Sequence, residues 1–183
     1  MTEAGYKYLK TYQLSVVIYD LTVEFCRIFL VGFDFRRLRE QMIQAARSAK
    51  QNIAEGYLEK SLKGYIKLLG VAMASLEELL EDYEDFLRQR GLAIWAKNDP
   101  RVREFREIGE FRDLEKTPKP LNAQGLLSSD PERAANMLLT VGHQTSFLLD
   151  RQIKALEEKF VREGGYTEKL FQKRLKYRVE GNQ

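Results

Sequence analysis

Apolar positions recur along the chain at intervals of three and four, the period that places them on one face of a helix; no segment shows the alternation in twos that marks a strand. Residues 6–31 carry Leu14, Val17, Ile18, Leu21, Phe25, Ile28 and Phe29 on such a stripe. Gly32 is expected to end this helix and Asp34 to cap the next. Residues 35–55 repeat the pattern with Leu38, Met42, Ala45, Ala49 and Ile53, and Gly56 stands where a left-handed C-terminal cap belongs. Ser61 is placed as the N-cap of a third helix that closes at Gly91. About 30 residues at ~1.5 Å each make ~45 Å of helix, a length that needs packed partners. Gly70, Ala72, Ala74 and Ser75 form a small-residue patch within it. A mid-helix glycine costs about 1 kcal/mol relative to alanine, so the patch predicts close approach of another backbone there.

Two Asp-Pro pairs punctuate the second half. Asp99-Pro100 reads as cap and first-turn proline of a short charged helix reaching about Asp113, and Asp130-Pro131 opens a longer one that ends at Gly164-Gly165. Between them, Thr117 to Pro120 and Asn122 to Gly125 carry turn chemistry. A last helix spans Thr167 to Arg178. The predicted fold is all-α: an up-down antiparallel four-helix bundle over 1–163, an insertion at 92–130 between its third and fourth helices, and a basic C-terminal suffix at 164–183.

Composition narrows the function classes by exclusion. At 183 residues and 44% hydrophobic the chain is expected to fold as one domain. A lone cysteine, Cys26, cannot staple it internally and reads as a buried, inert thiol. The N-terminus lacks an apolar leader and no apolar run approaches the ~20 residues of a membrane span, so a cytoplasmic protein is expected. With one histidine, His143, read as structural or surface, the di-iron pattern of paired Glu-x-x-His motifs cannot be built. Phosphate-cradling glycine loops and the Gly-x-Ser-x-Gly elbow are also missing from the sequence. No enzyme activity, metal or cofactor is therefore expected.

Charge is more informative by position than by amount. The five cations of residues 166–183 outnumber the acids Glu168 and Glu180 by three, the whole formal surplus of +3. A second basic group, Arg36, Arg37, Arg39, Arg47 and Lys50, lies on the second helix. The acidic run Glu77, Glu78, Glu81, Asp82, Glu84 and Asp85 is expected to scatter around the third, as a solvated or partner-facing stripe rather than a cation site.

The stretch Arg47 to Tyr57 holds an unusual polar residue. Asn52 continues the inward series 45, 49, 52, 56, although its amide competes for backbone hydrogen bonds. A polar group placed there needs a partner, and Ser75 on the facing helix is the candidate; Glu55 shares Asn52's face. The segment Asn52-Ile53-Ala54-Glu55-Gly56-Tyr57, followed by Ala74-Ser75-Leu76-Glu77-Glu78-Leu79, resembles a bacterial four-helix-bundle family. That family includes proteins encoded in 23S rRNA intervening sequences and the accessory variability protein of diversity-generating retroelements. The resemblance covers roughly residues 8–90 and 131–163, and the insertion and tail are similar to its longer branch with a four-helix-bundle suffix. Where shorter members have Ser-Ile-Pro-Ser, this chain has Ser48-Ala49-Lys50-Gln51, so a straighter second helix is expected.

The resemblance implies a non-catalytic bundle assembled as a homopentamer, acting with a reverse transcriptase and its RNA or DNA, with Asn52, Glu55, Gly56 and Ser75 as fold or interface determinants. Its nucleic-acid contacts do not carry over residue by residue. From this chain alone, Lys169, Lys173, Arg174, Lys176 and Arg178 are the leading phosphate contacts, and Arg36, Arg37, Arg39, Arg47 and Lys50 follow. Tyr166, Phe171 and Tyr177 could stack on unpaired bases, with packing on the bundle the favoured alternative for Phe171. A protein-interaction scaffold without direct nucleic-acid binding is the alternative function, and a membrane-surface role for the tail is weaker still.

Overall fold

The computed structural model describes residues 4–109, 125 and 127–180, and among them the chain is helical with no strand. A 3-10 turn at Gly5–Tyr8 precedes six α-helices: α1 Lys10–Phe29, α2 Arg36–Leu58, α3 Leu62–Gln89, α4 Pro100–Gly109, α5 Pro131–Glu163 and α6 Tyr166–Glu180. The expected end of the short helix near Asp113, and the Thr117–Pro120 and Asn122–Gln124 stretches, fall outside the described residues.

The four long helices share one core. α1 packs against α2 and α5, and α3 against the same two, so each buries its stripe between two neighbours. Side-chain contacts fix their directions. Thr11, at the start of α1, donates to Gln152 Oε1 late in α5 (2.9 Å), and Gln152 Nε2 donates to Tyr65 OH at the start of α3 (2.6 Å). At the other end Phe25 and Phe29 of α1 meet Phe86 of α3, where Arg90 also stacks on Phe86 and on Phe35, just ahead of α2. α1 and α3 therefore run one way, α2 and α5 the other.

Phe25, Tyr83 and Phe86 form an edge-on aromatic cluster with centroids 4.8–5.0 Å apart. Tyr83 is wholly buried, and its hydroxyl is satisfied by donating to Thr22 Oγ1 at 2.9 Å, while Thr22 donates onward to the Ile18 carbonyl. A buried tyrosine requires such a partner. Cys26 lies in the same core, and burial pushes its thiol up to about 12, which leaves it an inert apolar filler.

Local signals set several helix ends. Ser61 Oγ accepts from the Gly64 amide, Asp130 accepts from Glu132 N ahead of Pro131, and Asp99 accepts from Arg101 N. Gly32, Gly91 and Gly164 take positive φ at helix ends. Four expectations fail. Asp34 does not cap α2, whose N-cap position is Phe35 without a side-chain bond. Gly56 is not a left-handed cap: α2 continues to Leu58, and Gly56 is buried where the Tyr65 ring crosses it, so that a Cβ would lie 2.9 Å from Tyr65 Cδ2. Gly70 is exposed with nothing near it; the close approach falls instead at Gly142 on α5, against Leu80. Phe171 does not pack on the core but is 60% exposed.

Candidate functional site

Nothing covers α6. Each of its described side chains, residues 166–179, is exposed, including Tyr166, Leu170, Phe171, Leu175 and Tyr177. Lys169 approaches Glu163 at 3.6 Å, a half-exposed pair worth little in water. Among the described residues no carboxylate pairs with Lys173, Arg174 or Arg178, and Lys176 extends from the same exposed helix.

The α2 cations divide into two kinds. Arg39 donates to the Leu30 and Gly32 carbonyls, tying the α1–α2 turn, and Lys50 lies 4.1 Å above the Tyr19 ring. Both are committed to the fold rather than held free for a phosphate. Arg36, Arg37 and Arg47 are exposed, and Arg36 makes only an exposed pair with Glu40 (3.2 Å). Arg36 and Arg37 also begin α2 at the end of the core where Phe35 meets Arg90, whereas α6 follows the opposite end of α5. Arg36 and Arg37 therefore form no continuous patch with α6 within a protomer.

The Asn52 cluster is assembled differently from expectation. Ser75 on α3 meets Ser48 Oγ on α2 (2.9 Å), and Asn52 Nδ2 donates to Ser48, both to its carbonyl (2.9 Å) and to its hydroxyl (3.2 Å). Asn52 thus reaches Ser75 only through Ser48. α2 runs unbroken through this region, and Glu55 is exposed. The cluster ties α2 to α3 beside the shallow groove where Arg37 and Glu78 lie.

Four of the six acidic residues of α3 share one stripe. Asp82 is pushed up to about 6, by burial first and then by Glu78, Asp85 and Glu81. Those four recur at helical spacing on one stripe, while Glu77 turns toward α5 and accepts from Ser146 Oγ. Among the described residues no three His, Cys, Asp or Glu side chains are placed to hold a metal ion, and no helix is long and apolar enough to cross a membrane.

One site went unseen in the sequence. The chain leaving α3 and the helix α4 fold onto α5, where Trp95, Val102 and Phe105 are buried. Asn136, 2% exposed, anchors the connection: its Oδ1 accepts from Trp95 N (2.8 Å) and its amide donates to the Ala93 carbonyl (2.9 Å). Glu132 accepts from Trp95 Nε1 (2.7 Å) and Ala93 N (3.1 Å). Those two bonds, together with nearby Arg101, hold its carboxyl below the ordinary value. Arg101 stacks 3.7 Å over the indole, and Trp95 and Phe105 lie nearly parallel with centroids 6.1 Å apart.

Beside this contact lies a cavity of about 640 Å³. Ile94, Trp95, Val102, Leu139 and Phe147 supply its apolar walls, and Lys97, Arg106, Asn136, Thr140, His143 and Gln144 its polar groups. A sequence signal for it existed. Residues 134–142 of α5, Ala-Ala-Asn-Met-Leu-Leu-Thr-Val-Gly, carry no charge on any side and are all buried in the structure, whereas a helix facing one core buries a stripe. An uninterrupted run means that a second element covers the helix from behind.

Compared with family models, curated proteins and solved structures, the chain has no match.

Proposed function

We propose that the protein is a non-enzymatic, oligomeric nucleic-acid-binding accessory protein whose phosphate contacts come chiefly from α6. The observation that carries this reading is the exposure of that helix: a 15-residue segment presents Lys173, Arg174 and Arg178, which have no partner among the described residues, with no apolar face covered by them. So short a helix is marginal alone in water, and a polyanion binding along it would stabilise it. In this reading the four long helices form the up-down bundle of the resembled family, with 92–130 as its insertion. Protomers assemble into a ring, and a pentamer multiplies +3 to about +15. The cognate partner is an RNA or DNA handled by a reverse transcriptase.

The test is a titration of structured RNA and duplex DNA at two salt concentrations, with light scattering for the assembly. Binding that weakens steeply with salt and collapses when the five tail cations are neutralised is the expected result. A monomer indifferent to both nucleic acids overturns the proposal.

A second reading, a scaffold that docks a basic protein, draws on the α3 stripe, where mutual repulsion helps to raise Asp82. Retention of a polymerase partner by the tail-neutralised variant, in a protein that never bound nucleic acid, would select it.

A further inference from the structure

The cavity between α4 and α5 carries chemistry that the tail does not explain. Its volume, about 640 Å³, lies within the range of small-molecule sites. Gln144 supplies the first constraint. Its Nε2 donates to the Arg106 carbonyl at 3.0 Å, and since a carbonyl only accepts, this bond fixes which end of the amide is oxygen. Gln144 Oε1 is then buried with no donor among the described residues. A buried acceptor left unmade is unfavourable, and among the described residues none of the N–H or O–H groups of the wall bonds to it.

Charge supplies the second constraint. Lys97, Arg106 and His143 line the cavity, and no Asp or Glu does so among the described residues. Arg106 spends one N–H on the Lys97 carbonyl, and the Lys97 side chain is exposed with no ion pair among the described residues. Shape supplies the third: the exposed side chain of Ile94 and the 60%-exposed ring of Phe147 offer apolar surface on which a planar ring can lie, with Trp95 at the edge of the cavity. A wholly apolar ligand would leave Gln144 Oε1 unpaired, and a small inorganic anion would leave the walls wet.

We infer that this cavity binds a planar heteroaromatic anion, a nucleotide, whose base donates an N–H (the ring N–H of guanine or uracil, the exocyclic amine of adenine or cytosine) to Gln144 Oε1 and whose phosphate faces Lys97 and Arg106. The same chemistry can arrive as a free mononucleotide or as one unpaired nucleotide of a strand. The site stands on the α4–α5 contact and does not depend on the charged tail.

Trp95 is the single tryptophan and lines the cavity, so its emission is a built-in reporter. The full-length protein is titrated with AMP, GMP, CMP and UMP, and separately with a short unstructured oligonucleotide, following emission and calorimetric heat. The expected result is a saturable change that Gln144→Leu weakens about tenfold, the loss of roughly one hydrogen bond. Lys97→Glu should weaken it comparably, and its exposed side chain makes it a safe variant if Gln144→Leu impairs folding. Saturation by a mononucleotide identifies the free ligand. A response to the oligonucleotide alone, lost in the same variants, identifies an unpaired base. Both support the inference. Absence of any response up to roughly millimolar ligand, or binding insensitive to both substitutions, overturns it. Truncation after Gly165 removes the tail and should leave mononucleotide binding intact, which separates failure of this site from failure of α6.

Discussion

α4 and α6 are two short helices outside the four long ones, about equally polar on average, and they meet opposite fates. Val102 and Phe105, three residues apart, lie on one face of α4 and are buried against α5. On α6 the apolar residues divide: Leu170 and Tyr177 lie toward one side, Phe171, Leu175 and Val179 toward the other, and all are exposed. The amount of apolar side chain is similar, and its segregation decides docking. The α4 region also has a polar anchor, because Asn136 and Glu132 satisfy backbone and indole N–H groups that would otherwise be buried unpaired. α6 has no equivalent on the core. A segment that docks can build a cavity with the helix beneath it, and one that does not is left available to partners.

The largest expected effect comes from removing the centre of the docked side. Trp95→Ala should cost about 3–5 kcal/mol by chemical denaturation and abolish hydrogen-exchange protection in 92–106. Unchanged protection would mean that the indole does not hold this segment. Asn136→Ala should cost about 2 kcal/mol, since it strands Trp95 N and the Ala93 carbonyl, and should shift Trp95 emission to the red.

Acid should loosen the same contact more gently. The carboxyl of Glu132 lies below its ordinary value in the folded protein, so its contribution is fully present above about pH 4.3 and is lost as the pH falls through the lowered value. Trp95 emission should follow that transition, and Glu132→Gln should remove it. The smallest effect is expected from α6: truncation after Gly165 should change stability by no more than about 0.5 kcal/mol. A loss beyond about 2 kcal/mol would mean that α6 is held by the core or by a neighbouring copy.

Helix positions and most caps were legible because they are short-range. Ser61, Asp99 and Asp130 bond amides two or three residues ahead, and the Pro131–Glu163 helix was readable from its stripe and its glycines. Sequence and structure differ where a side-chain contact outside the apolar period decides the outcome. Gly56 near a helix end reads as a cap, yet the ring of Tyr65 made it a point of close approach. Asn52 was matched to Ser75, while Ser48, one turn back, was the nearer acceptor. Arg39 read as a surface cation, although two carbonyls of the preceding turn claim it.

By itself the chain's periodicity determined that it would be helical, and its charge order determined where cations would concentrate, since both are properties of neighbours a few residues apart. Only the tertiary structure decided which polar segment would dock and which stay bare. Trp95 and Asn136 are 41 residues apart and belong to no common pattern. The cavity exists because two such segments close over one helix, and a one-dimensional pattern does not record which distant surfaces will meet.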